Sequence, residues 1–147
     1  MILLRPLILE NTLVWRDYTQ LSKEQKDALY EYMVTSGGVE PTEFNAYMKR
    51  FVFKVIKVPA AKLKNVFDKD GWDWLQGLSA NDEERIKKID AEIQRTNQTW
   101  PYIVNAATTF SQWAENEYYH GDGFHRMLLA IRKNRPIEFL FIKQNKR

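Results

Sequence analysis

Gly121-Asp122-Gly123-Phe124-His125-Arg126 runs directly into the apolar stretch Met127-Leu128-Leu129-Ala130-Ile131. Two of the six glycines fall here, and both histidines of the chain, His120 and His125, lie in or beside it. The glycines predict a turn and the stretch behind them a helix, entered from a short strand at Glu117–His120. Phe124, Met127, Leu128 and Ile131 fall within about a 100° arc of that helix, the usual width of a core-facing stripe. Phe124 is therefore expected to anchor the helix, whereas His125 and Arg126 leave the stripe near the exposed first turn. Unpaired N–H groups and the positive end of the helix dipole favour an anion at such a turn. Gly121 and Gly123 let the backbone come close to it, Arg126 can fork onto phosphate oxygens, and His125 can bind phosphate or shuttle a proton. Gly121, Gly123, Phe124, His125 and Arg126 thus form the expected phosphate-binding turn, with Asp122 and His125 as the candidate catalytic pair. Asp122 has three readings: a base, a Mg²⁺ ligand, or the cap of the helix. His120 is expected to be a strand-end residue, because its spacing from His125 matches no common metal-ligand pattern.

Working outward, Asn134–Pro136 turns the chain into a last strand, Ile137–Ile142. Upstream, Tyr102–Ala107 is a strand, and Trp100-Pro101 ends the helix before it. That helix carries Ile86, Ile89 and Ile93 on one face, and Asn81 with Glu84 is expected to form its capping box. Phe51–Val58 (FVFKVIKV) is aromatic and β-branched, a strand closed by Pro59 and followed by Ala60–Leu63. Between them, residues 65–79 hold Trp72 and Trp74 among Asp68, Asp70 and Asp73. These would be an aromatic wall with a catalytic acid, or ordinary turn chemistry; a calcium loop is unsupported, because its twelfth position is Ser79. Asn105 is expected to face the same cleft as the turn. Residues 108–116 stay ambiguous.

Near the start, Met1–Trp15 suggests one or two short strands. Ser22 with Gln25 forms a capping box for a helix striped by Leu21, Ala28, Leu29, Tyr32 and Met33, which Gly37-Gly38 stops. Pro41–Met48 is a second short helix. The order of elements predicts an α+β domain with a small mixed sheet over residues 50–147, preceded by an N-terminal extension over residues 1–49 that is either an added lobe or a packed layer.

At 147 residues and 44% hydrophobic, the chain can bury one real core and is not a disordered polymer. Having no cysteine, it has no disulfide and no thiolate chemistry or thiolate metal site. Met1-Ile2-Leu3-Leu4 is interrupted by Arg5 and Pro6, so a cytoplasmic chain without a membrane partner is expected. The net charge is only +3, but residues 132–147 carry six bases (Arg132, Lys133, Arg135, Lys143, Lys146, Arg147) against the one acid Glu138. Such a segment is a solvated end or a surface for nucleic acid. No P-loop, dinucleotide glycine fingerprint or serine-nucleophile elbow is present.

Asp122-Gly123-Phe124-His125-Arg126, followed by Ala130, resembles the Asp-Gly-x-His-Arg signature of the ParB/sulfiredoxin superfamily. Val55-Ile56-Lys57-Val58-Pro59 with Leu63 looks like the family's opening strand and "I-P-x-x-x-L" segment. Asp82–Gln94 looks like its next helix, Pro101-Tyr102-Ile103-Val104 like its "P-I-x-V" strand, and Ile137–Ile142 like its closing strand. The resemblance spans roughly residues 50–143. It implies a helix start that binds nucleotide phosphates, in branches that clamp DNA with CTP, use ATP to phosphorylate a cysteine sulfinate or free serine, or act as nucleases. The sulfinate reaction needs a cysteine where this chain has Phe124. A clamp-type protein would need a long DNA-binding region after the turn. The resemblance implies first an ATP- or other nucleoside-triphosphate- and Mg²⁺-dependent phosphoryl transferase, nearest to the free serine kinase and ParB nucleotide-binding branch, with an acceptor that is a nucleic acid, nucleoside or small metabolite. The alternative is a binding module of ParB-like fold for nucleic acid or protein; a nuclease is a third option, without a recognisable acidic metal cluster. Oligomeric state stays open.

Overall fold

The computed structural model describes residues 3–4, 15–63, 79–106 and 118–145. Leu3–Leu4 forms β1, Lys23–Tyr30 α1, Phe44–Met48 α2, Phe51–Val58 β2, Ala60–Leu63 α3 and Ala80–Thr96 α4. Tyr102–Ala106 forms β3, Tyr118–Asp122 β4, Phe124–Arg132 α5 and Ile137–Gln144 β5. The protein is a mixed α+β structure built on one five-stranded sheet of order β1-β4-β3-β5-β2. Only the β3–β5 pair is parallel; the others are antiparallel. Trp72, Trp74, Asp68, Asp70 and Asp73 lie outside the described residues, as do 107–117 and the terminal Lys146 and Arg147. Among the described residues no helix is long and apolar enough to cross a membrane.

Alternation along the strands divides the core between the two faces of the sheet. Ile56, Val58, Tyr102, Val104, Phe139 and Phe141 face α3, α4 and α5, meeting Leu63, Ile86, Phe124, Met127 and Leu128. Phe51, Phe53, Ile103, Leu140 and Ile142 face the other way, onto Leu21, Ala28 and Leu29 of the α1 region and Phe44 and Met48 of α2. The N-terminal segment is therefore a packed layer: it covers one face of the sheet, and its β1 pairs with β4. Ser22 caps α1 as its spacing predicts, its hydroxyl accepting from the Gln25 N–H while the Gln25 side chain accepts from the Ser22 N–H. Helix α4 starts two residues earlier than Asn81 suggests. Its capping box is Ser79 with Asp82 rather than Asn81 with Glu84, because Ser79 takes the extended backbone that an N-cap needs.

A parallel pair needs a crossover. Here β4 and α5 supply it, and the register makes the path unusual. Asp122 at the end of β4 lies opposite Ile103, near the start of β3, and β5 begins at the same end of the sheet. Helix α5 must therefore leave and return at one end, running across the strands. Its nine residues span about 13 Å, enough to cross the two strand spacings of about 9.6 Å from β4 to β5. Phe139 sits under this crossing, fully buried against the rings of Tyr102 and Phe141. Phe139→Ala is expected to cost about 3–5 kcal/mol in urea unfolding; a loss below about 1 kcal/mol would place the core elsewhere.

Candidate functional site

The site grows from one irregularity in the β3–β4 ladder. Ile103 pairs with Asp122, but Val104 pairs with His120, so Gly121 is an extra residue on β4. A bulge of this kind turns the strand and changes which face the next side chain takes. Without it, His120 and Asp122 would share a face. With it, His120 lies with Val104 on the α5 side, while Asp122 joins Ile103 on the other. The bulge is close-packed: a Cβ on Gly121 would lie 2.7 Å from the Ile103 carbonyl oxygen. Gly121 thus aims Asp122 by packing against β3.

Gly123 is the N-cap of α5, at φ 99° and ψ 21°, a left-handed conformation that glycine adopts without strain. Asp122 therefore stands outside the capping position. The Arg126 guanidinium folds back over the turn, so a Cβ on Gly123 would come within 2.6 Å of Nη2. That same Nη2 donates to the Pro101 carbonyl at 3.0 Å and lies 4.0 Å from Asp122 Oδ2, with Cζ 5.6 Å from the Trp100 ring centre. Arg126 was expected in an exposed turn; its side chain is only 15% exposed, because Trp100 and Pro101, just ahead of β3, cover it. Its Nε is buried with no hydrogen-bond partner, and burial lowers its pKa from the ordinary guanidinium value.

His125 departs from its neighbour. Its Nε2 lies 2.9 Å from Asp82 Oδ1, tying the start of α5 to the start of α4. The His125 hydrogen bond, with further bonds from Ser79, lowers the Asp82 carboxyl to about 2. His120 and the Tyr102 hydroxyl form a part-buried pair at 2.6 Å from Nδ1, and desolvation lowers the His120 pKa while raising that of Tyr102. Phe124 is buried in the core as expected, touching the rings of His120 and His125. Asn105 does not reach a cleft: it is buried and donates to the Tyr32 hydroxyl at 2.6 Å, between the sheet and the N-terminal layer.

Two cavities meet at Trp100, Arg126 and Ile93. One, of about 340 Å³, is lined by Asp122, Arg85, Glu31, Ser36 and Gln98 together with α4. The other, of about 350 Å³, opens towards Lys57, Arg135 and the start of β5. Of the residues singled out in the turn, Asp122 and Arg126 line these cavities and His125, Phe124, Gly121 and Gly123 do not. Among the described residues no three His, Asp or Glu side chains converge as a metal cage. Trp100 and Arg85 were missed as site residues: the first looked like a helix breaker, and the second is one of many charges on the outer face of α4. Only the long-range path of the chain brings them together.

Two substitutions separate these roles. His125→Ala should let the Asp82 carboxyl rise from about 2 towards its ordinary 3.8, read by NMR titration of the side-chain carbon. Because a depressed folded pKa stabilises above the unfolded value, wild-type stability should fall from about pH 4 towards pH 2. That acid-side loss should be smaller in His125→Ala, and an unmoved Asp82 titration would break the assignment. Gly123→Ala should cost roughly 1–2 kcal/mol from its left-handed backbone alone and displace the Arg126 guanidinium, seen as lost protection of its side-chain N–H signals. No family model matches this chain, and neither a curated protein nor a solved structure is significantly similar to it.

Proposed function

We propose that this protein is a nucleotide-dependent phosphoryl transferase of ParB/sulfiredoxin-like type, binding its nucleotide in the cavity between Asp122, Arg126, Arg85 and Trp100. The observation that carries this reading is Arg126: a mostly buried cation with an unpartnered Nε, wedged between the glycine turn and Trp100, beside a carboxylate on a cavity wall. Keeping a desolvated guanidinium without a full set of acceptors is costly unless a ligand supplies them. Among the described residues of 51–144, the order strand, two helices, strand, strand, helix, strand also suits the resemblance.

In this reading Arg126 and Arg85 neutralise the phosphates, and the Trp100 ring offers an apolar face to the base. Ser36 and Gln98 supply neutral donors on the cavity rim. Asp122 takes the proton of the acceptor as its oxygen bonds to the transferred phosphorus, and the nucleoside diphosphate leaves with the oxygen of the broken bond. Asp122 shares the cavity lining with Glu31 and Glu92, which do not converge with it as a metal cage, so Mg²⁺ would arrive on the phosphates and take one or two of these carboxylates, completing its shell with phosphate and water. Bound there, the ion would neutralise phosphate charge. The protein otherwise contributes positioning and electrostatics, which dominate this class of reaction.

ATP with Mg²⁺ should raise the melting temperature; at 100 times Kd the linkage is about 2.7 kcal/mol. Arg85→Gln should weaken binding without unfolding the chain, since Arg85 is exposed. Asp122→Asn should lower turnover more than nucleotide affinity, because a base acts in the transition state. The absence of any ATP-induced shift in the wild type, or nucleic-acid binding that falls steeply with salt and ignores Arg85 and Asp122, would overturn the reading.

A further inference from the structure

We infer that the second cavity, on the far side of Arg126 and Trp100, is a binding site for a small organic anion: a carboxylate or phosphate monoester on a short apolar body. Its place beside a nucleotide site rests on the reading above; as a binding site it stands on its own geometry.

The cavity measures about 350 Å³, within the range of small-molecule pockets. Its apolar wall comes from Leu129 and Ala130 of α5, Ile137 and Pro136 at the entry to β5, and Trp100. Its charges are unbalanced. Lys57, Arg135 and Arg126 supply three cations, and Glu138 is the one acid. Lys57 and Glu138 are directly opposite in the β2–β5 register, where a cross-strand ion pair would be the ordinary outcome. Glu138 instead accepts a hydrogen bond from the Gln25 amide at 2.6 Å, which draws it towards the N-terminal layer. Among the described residues no carboxylate lies within 4.0 Å of the Lys57 ammonium or the Arg135 guanidinium. An apolar floor with uncompensated cations at its rim selects a ligand with an apolar body and an anionic head. Because Arg126 and Trp100 line both cavities, a ligand here lies directly across that wall from the nucleotide site.

The test uses the full chain without nucleotide and three probes of one shape: benzoate, phenyl phosphate and benzyl alcohol, followed by NMR shifts of the Ala130 and Ile137 amides. Benzoate, phenyl phosphate or both should bind, and the two arms tell which anion is preferred; benzyl alcohol should bind at least tenfold more weakly. Lys57→Gln and Arg135→Gln, both at exposed positions, should each weaken the anions roughly tenfold, the usual worth of one hydrogen bond to a charged group. Arg85→Gln, which belongs to the other cavity, should leave anion binding unchanged. Equal binding of benzyl alcohol, indifference to Lys57 and Arg135, or no binding by either anion overturns the inference. Anion binding that persists where ATP causes no thermal shift upholds this pocket while removing the nucleotide reading.

Discussion

The two-sided burial of β5 is the constraint on which the rest of this molecule depends. Phe139 and Phe141 point into the layer of α4 and α5, and Leu140 and Ile142 into the layer of α1 and α2, all four almost wholly buried. A strand that buries both faces needs a cover on each, so the N-terminal segment is required as the second cover. Burial of each such side chain is worth about 1.5–3 kcal/mol before entropy is charged against it. The parallel pairing of β5 with β3 then dictates the crossover through β4 and α5, and so fixes where the glycine turn falls.

That turn places its charges through two glycines with different tasks. Gly121 is a packing device: as the bulged residue pressed against Ile103, it moves Asp122 to the face opposite His120. Gly123 is a conformational device: its left-handed backbone starts α5 and leaves space for the Arg126 guanidinium to lie over it. The outcome is a division of labour. His125 locks α5 to Asp82 on α4, while Arg126 and Asp122 line the cleft.

Electrostatics between α4 and α5 supports the same geometry. Arg132 makes a two-pronged bond to Glu83 at 2.6 and 2.7 Å, and the Lys133 ammonium lies 3.6 Å from Asp90. These partly exposed pairs are screened by solvent and contribute little stability, but both run between the two helices. They also engage two bases of the cationic C-terminal segment. Lys143 is held differently, over the Trp15 ring that Lys54 also approaches. Arg135 is left at a cavity rim.

Local pattern carried most of the elements. FVFKVIKV marks β2 from Phe51 to Val58, Ser22 with Gln25 marks the start of α1, and the stripe of Phe124, Met127 and Leu128 marks the buried face of α5. These were legible because capping, alternation and helical periodicity are interactions within a few residues of sequence. The start of α4 was misread because Ser79-Asp82 and Asn81-Glu84 offer nearly the same capping chemistry, and only the backbone path into the helix selects one. Within the turn, sequence identified the groups able to hold an anion but not their directions. Adjacent His125 and Arg126 part because their surroundings come from distant segments: Asp82 for one, Trp100 and Pro101 for the other. By itself, then, the sequence determined which segments become strand or helix and which faces they bury. The tertiary structure alone decided that the N-terminal helices cover the sheet, that Asp122 meets Arg126 rather than His120, and that Trp100, Arg85, Lys57 and Arg135 line the two cavities. Those outcomes depend on a one-residue bulge and on long-range pairing, which no local periodicity encodes.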